Sequence, residues 1–154
     1  MDLEFSLTTE TVERLKPSAP LCVEPDISVR DALAVLRDKR AGSLCICKDG
    51  ILTGIFTERD VLKILARGDS LDARIDSVMT TQPATVLMTD SVATAIRKMS
   101  SGGYRRLLIV DSAGRPTGKF NVASILRYVV EYFPQAVYNL PPDPRATMLD
   151  RDGA

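Results

Sequence analysis

The chain has 154 residues, 45% of them hydrophobic, and its twenty Lys and Arg balance twenty Asp and Glu to a formal charge of zero. That length holds one domain or two very small ones, and the charge balance argues against both a net-basic nucleic-acid binder and an acidic disordered chain. There is no His, so the usual general base and the commonest metal ligand are missing. The longest run without a charged side chain is Ser77–Thr89, thirteen residues rich in Thr, Gln and Pro. A membrane span needs about twenty apolar residues, so none is expected. Residues 1–5 are acidic and lack the apolar core of an export signal. With three Cys, an odd count, this reads as a cytoplasmic chain with reduced thiols.

In chain order, residues 8–16 predict a short helix that Pro17 ends. Beyond it the chain repeats itself. Asp26-Ile27-Ser28-Val29-Arg30-Asp31-Ala32-Leu33 aligns with Thr89-Asp90-Ser91-Val92-Ala93-Thr94-Ala95-Ile96 at an offset of 63. Further on, Cys45-Ile46, Gly50 and Gly54-Ile55-Phe56 align with Ile109-Val110, Gly114 and Gly118-Lys119-Phe120 at an offset of 64. The first copy covers 20–79 and the second 80–135, leaving an N-terminal segment 1–19 and a C-terminal tail 136–154.

The periodicity changes in the same order in both copies. After a first strand, Val29, Ala32, Leu33 and Leu36 mark one helix face, with Ser28 as its cap, and Val92, Ala95, Ile96 and Met99 repeat the stripe after Ser91. Leu44–Cys47 and Ile51–Phe56 read as two strands joined by the Lys48-Asp49-Gly50 turn, and Leu107–Val110 with Gly118–Phe120 do the same. A second helix closes each copy, through Val61, Leu62, Ile64 and Leu65 or through Ile125, Leu126, Val129 and Val130. The fold class is therefore α/β: two β-α-β-β-α units that share a core, each marginal alone. Gly68–Thr80 reads as a hinged linker between them. Residues 134–154 hold four of the nine prolines and predict an extended arm, disordered at its end. Within it, Val137-Tyr138-Asn139-Leu140-Pro141-Pro142 points to docking on the module or on a second subunit.

The stretch with chemistry in it is Gly54-Ile55-Phe56-Thr57-Glu58-Arg59-Asp60, a strand running into a helix start. One reading is a capping box, with Thr57 at the N-cap and Asp60 three residues on. The other uses the same geometry for a ligand. A helix N-terminus offers free N–H groups to a phosphate, and a carboxylate there accepts hydrogen bonds from vicinal ribose hydroxyls. Spacing alone leaves both open.

The repeat and this motif together resemble a tandem pair of CBS domains (cystathionine-β-synthase domains, a Bateman module) over residues 20–133. Gly-hydrophobic-x-Thr-x-x-Asp is that family's ribose- and phosphate-binding signature, and residues 54–60 match it; Val78-Met79-Thr80 resembles its usual lead-in to the second unit. The second copy reads Gly118-Lys119-Phe120-Asn121-Val122-Ala123-Ser124, so Asn121 keeps the cap while Ser124 replaces the acid. The resemblance implies units related by a pseudo-twofold axis with shared nucleotide sites. One site would join Gly54, Ile55, Phe56, Thr57, Arg59 and Asp60 to Pro83, Ala84 and Thr85 and to Tyr104, Arg105 and Arg106, whose guanidiniums would grip phosphate. The other would join Ser124 to Leu21-Cys22-Val23 and Ala41-Gly42-Ser43, with neither carboxylate nor cation.

The resemblance thus implies a non-catalytic regulatory module with one competent site per chain for AMP, ADP or ATP, S-adenosylmethionine and NAD being alternatives. Its partners would be a second copy, through the CBS helices, and an unknown protein target. The alternative is a structural dimerisation module whose pocket stays empty. Cys45 and Cys47 share one strand face and read as buried apolar residues. A thiol enzyme or redox sensor built on them would lack the imidazole partner, and no catalytic or metal-binding constellation is found. Eight aromatics and zero net charge leave nucleic-acid binding by Arg105, Arg106 and Lys119 a weak option.

Overall fold

The structure, a computed structural model, describes residues 2–138. Helix α1 (Leu3–Thr9) starts at Asp2, whose carboxylate accepts the Glu4 N–H. It stops where Thr8 and Thr9 turn their hydroxyls back onto the carbonyls of Phe5 and Ser6. The Val12 N–H then donates to the Asp90 carbonyl at 2.8 Å, Val92 donates to Glu10, and Val12–Leu15 form one 3-10 turn. The helix expected over 8–16 is therefore corrected to two pieces, because pairing with a distant segment captures the backbone that would have continued it. Val12 and Leu15 are buried in the core of the second unit, so the N-terminal segment is a strap on that unit.

The first unit runs β1 (Cys22–Val23), α2 (Val29–Lys39), β2 (Ser43–Lys48), β3 (Ile51–Thr57) and α3 (Glu58–Arg67). Ser28 caps α2 by accepting the Asp31 N–H, and Gly68, at φ +70°, closes α3 in the left-handed conformation. The chain then returns as β4 (Thr80–Thr81) on the far edge of the same sheet, whose order is β1-β2-β3-β4. The second unit has β5 (Thr85–Leu87), α4 (Val92–Gly102), β6 (Arg106–Val110), β7 (Pro116–Asn121) and α5 (Val122–Tyr132), with sheet order β5-β6-β7. In each sheet the first strand pairs parallel to the central one, and the central one pairs antiparallel to the third. This is the α/β architecture that the repeat predicts, with β4 as an addition.

The two central strands explain why their sequences are unbroken apolar runs: both faces are buried. Leu44 and Ile46 point into the core of the first unit with Val29, Ala32, Phe56, Ile64 and Ile75. Leu107 and Ile109 do the same in the second with Val86, Val92, Ala95 and Phe120. The alternate residues Cys45, Cys47 and Leu108 meet one another, with Leu52 and Ile55, in a seam between the units. A Leu52 N–H bond of 3.0 Å to the Gly114 carbonyl adds to the join, while an antiparallel bridge between Ser18 and Lys119 ties the N-terminal strap to the second unit.

Two further expectations are corrected. Gly68–Thr80 is no free hinge: Val29 and Arg30 donate backbone bonds to Ala73 and Leu71, Ile75 donates to Ile27, and the Ile75 side chain is wholly buried. The polar, Gly-started stretch gave no local sign of this, because its partners lie some forty-five residues earlier. At the other end, Pro134–Tyr138 form a short helix, α6, rather than extended chain. The rest of the predicted arm lies outside the described residues.

If the linker is part of the first core, Ile75→Ala will cost about 2–5 kcal/mol in urea unfolding, as a buried Ile-to-Ala truncation does. A loss under about 0.5 kcal/mol would restore the free hinge.

Candidate functional site

β3 ends at Thr57 and α3 begins at Glu58, so the strand-to-helix corner sets the site. Asp60, on the first turn of α3, is buried at 6% exposure. One carboxylate oxygen, Oδ2, accepts from the Thr57 N–H at 2.9 Å and from the Thr57 hydroxyl at 3.2 Å. The other, Oδ1, accepts from the Thr80 hydroxyl at 3.2 Å. The acid thus serves as the N3 member of a capping box and also ties α3 to β4. Gly54 makes that second link possible. A β-carbon there would overlap the Met79 side chain and come within 3.0 Å of the Thr80 carbonyl oxygen, so only glycine lets β4 pass this close.

Asp60 opens onto a cavity of about 260 Å³, lined also by Lys63, Ile64, Arg67, Asp69, Ser77, Val78 and Met79. That is just under the roughly 300–1,000 Å³ usual for small-molecule pockets. It combines two carboxylates with two cations and an apolar wall of Ile64, Val78 and Met79. Sequence reasoning missed Lys63, Arg67, Ser77 and the role of Thr80. The signal was present for two of them: Asp60, Lys63, Ile64 and Arg67 are spaced i, i+3, i+4, i+7, one face of α3.

The remaining motif residues have fold-building positions. Phe56 is fully buried in the first core, Ile55 reaches the seam, and Arg59 is exposed. Among the residues expected from the second unit, Arg106 reaches the first. A β-carbon on Gly42 would sit 3.1 Å from its Nη1 and 3.4 Å from Glu58 Oε1, so its guanidinium lies beside the entry of α3. Gly42 belongs to the set that sequence reasoning gave to the other site, so the two sets adjoin at Arg106. Arg105 is exposed, and its carbonyl accepts the Val122 N–H at the entry of α5. The Tyr104 ring covers Gly102, where a β-carbon would strike it. Ala84 packs on the second core and Thr85 pairs with Leu108. Among the described residues none of Ala84, Thr85, Tyr104, Arg105 and Arg106 lines the cavity on Asp60 or bonds to its carboxylate.

The second copy keeps the cap without the charge. Asn121 Oδ1 accepts the Ser124 N–H at 3.0 Å and the Ser124 hydroxyl at 3.2 Å, and Ser124 Oγ accepts the Asn121 N–H at 3.4 Å. The strand-to-helix corner is kept with no acid to offer a ligand. The thiols of β2 are unsuited to catalysis: burial, aided by the neighbouring Cys22, pushes Cys45 and Cys47 up to about 12. Among the described residues no group of three or more His, Cys, Asp or Glu is placed to hold a metal ion, and no helix is long and apolar enough to cross a membrane.

A family model described as "CBS domain" matches residues 12–67 and again 75–131. Among curated relatives, the arabinose 5-phosphate isomerase KdsD of Pseudomonas aeruginosa is 34% identical over 102 residues, which are 65% of this chain and 31% of the isomerase. The chain therefore spans about a third of that enzyme's length. Among solved structures, the CBS domain pair of protein MJ0100, in complex with 5′-methylthioadenosine and S-adenosyl-L-methionine, is 26% identical with a TM-score of 0.69. That match covers 76% of this chain and 97% of that one. The CBS domain protein PAE2072 from Pyrobaculum aerophilum, complexed with AMP, matches at 22% identity and a TM-score of 0.69 over 84% of this chain and 95% of that one, a likeness of fold.

With pKa values near 12, about one in ten thousand of the Cys45 and Cys47 thiols is ionised at pH 8. Iodoacetamide at that pH will therefore label Cys22 in the folded protein and reach the other two only in denaturant. Equal labelling of all three in the folded state would contradict the burial described.

Proposed function

The chain belongs to the CBS-domain family as a tandem pair of such domains, and from that premise we propose that it is a regulatory module binding one adenosine-bearing ligand per chain at the β3–α3 corner. The observation that carries this reading is Asp60, a buried carboxylate opening onto a cavity. Its Thr57 and Thr80 hydroxyl partners can rotate to follow an incoming ribose, whose vicinal hydroxyls replace or join them as donors. The complex of the MJ0100 pair with 5′-methylthioadenosine and S-adenosyl-L-methionine supports an adenosyl ligand. Arg106, beside the N-terminus of α3, favours a ligand with phosphate, since a guanidinium attracts that anion. The preferred ligand is accordingly AMP, ADP or ATP. Ile55, Phe56 and Gly54 shape the corner, with Arg59 exposed beside it; Tyr104 and Arg105 lie at the surface before β6, and Ala84 and Thr85 at the start of β5. A ligand held by both units shifts their relative position only by its different affinity for the two arrangements, which is how such a module would signal to a protein partner.

The outer faces of the closing helices support a homodimer. Leu62 and Leu65 on α3 are 68% and 58% exposed, and Val122, Leu126 and Val130 form an exposed stripe at every fourth residue of α5. Two apolar stripes left bare, one on the closing helix of each unit, suit a self-complementary twofold contact. The same faces favour the second reading, a dimerisation module with no ligand, which nucleotide binding separates from the first.

In calorimetry, Asp60→Ala will weaken binding of AMP about 10- to 100-fold, the loss of roughly 1.5–3 kcal/mol from charge-assisted bonds, while Ser124→Ala leaves it within about twofold. Arg106→Ala will weaken AMP by about tenfold and leave 5′-methylthioadenosine, which has no phosphate, unchanged. Equal affinity for wild type and Asp60→Ala would remove the ribose role. No binding of any adenosine compound would leave the dimerisation module. In light scattering, Leu126→Glu will halve the mass of a dimeric wild type. An unchanged mass would move the interface elsewhere.

A further inference from the structure

We propose that Cys22 and Cys47 form a redox couple at the junction of the two units, oxidised by hydrogen peroxide or a similar hydroperoxide to a Cys22–Cys47 disulfide. The geometry gathers three thiols in one place. Cys22 stands in register with Cys45 on the adjacent parallel strand, and Cys47 lies two residues further along the same face of β2. Their exposure differs in the way such a couple needs: Cys22 is exposed, whereas Cys45 and Cys47 are buried. Cys22 and Cys47 also line a common cavity of about 350 Å³, together with Val23, Glu24 and Gly50 of the first unit and Arg115 and Pro116 of the second. Cys45 is not part of that lining. A small oxidant in the hollow therefore meets Cys22 directly, and of the two thiols next to Cys22 only Cys47 also lines that hollow.

The chemistry balances with peroxide alone. The Cys22 sulfur attacks the O–O bond, which breaks to give the sulfenic acid and one water. The Cys47 sulfur then attacks the Cys22 sulfur; the S–O bond breaks, and the Cys47 proton leaves with the departing hydroxide as a second water. Two thiols lose two electrons and two protons, and the peroxide takes them up. Burial keeps Cys47 protonated until that second step, in which closeness to Cys22 replaces intrinsic reactivity. Cys47 packs in the seam with Cys45, Leu108, Leu52 and Ile55. Drawing its sulfur toward β1 removes it from that contact, so the oxidation state is felt where the two units meet. This site does not depend on the nucleotide reading.

The test is to treat the folded full chain with a slight excess of hydrogen peroxide, block remaining thiols with N-ethylmaleimide, digest with trypsin and map the products by mass spectrometry. The expected result is loss of two of the three free thiols and a link between fragments 15–30 and 41–48, reversed by dithiothreitol. Cys45 and Cys47 share the second fragment, so fragmentation of that peptide and the variants Cys45→Ala and Cys47→Ala assign the bond. The link should persist in the first variant and vanish in the second. Three intact thiols, a Cys22–Cys45 link, a link between two chains, or Cys22 sulfinic acid without a link would each overturn the proposal.

Discussion

The structure turns on a carboxylate taken out of water. Burying an ionised acid is costly unless donors surround it, and Asp60 has three, the Thr57 N–H, the Thr57 hydroxyl and the Thr80 hydroxyl. Those donors come from the end of β3, which is also the cap of α3, and from β4 on the sheet edge, so one acid fastens three elements together. Two carboxylate oxygens offer about four acceptor positions, so one position is spare and two more are held by rotatable hydroxyls. The same group can therefore stabilise the empty corner and still receive a sugar.

The two units show how little of this the fold itself requires. Asn121 and Ser124 reproduce the corner through neutral hydrogen bonds, and the strand, cap and helix around them keep the same order. An acid at Asp60 is thus more than the cap demands, and its presence in one copy makes the pair asymmetric. Arg106, which belongs to the unit without an acid, leans toward the unit that has one.

Much of the architecture was legible because it is local or periodic. The stripes at Val29–Leu36 and Val92–Met99 became α2 and α4, and the unbroken runs at Leu44–Cys47 and Leu107–Val110 became strands buried on both faces. What escaped was long-range. Val12 and Leu15 belong to the core of the second unit, yet nothing in their own neighbourhood distinguishes them from a short surface helix. Ile75 sits in a stretch of small and polar residues, and its burial comes from backbone pairing with the turn before α2. At the site, Thr57 and Asp60 were readable from spacing, and Lys63 and Arg67 share the helix face of Asp60. The Thr80–Asp60 bond depends on β4 adding to the sheet, which no local pattern announces.

The measurement that bears most directly on this account is a crystal structure of the chain soaked with AMP. The account predicts the ribose 2′- and 3′-hydroxyls within hydrogen-bonding distance of the Asp60 carboxylate, with the phosphate toward Arg106 and the first turn of α3. A nucleotide seated at the Asn121–Ser124 corner, or bound with its ribose turned away from Asp60, would contradict it.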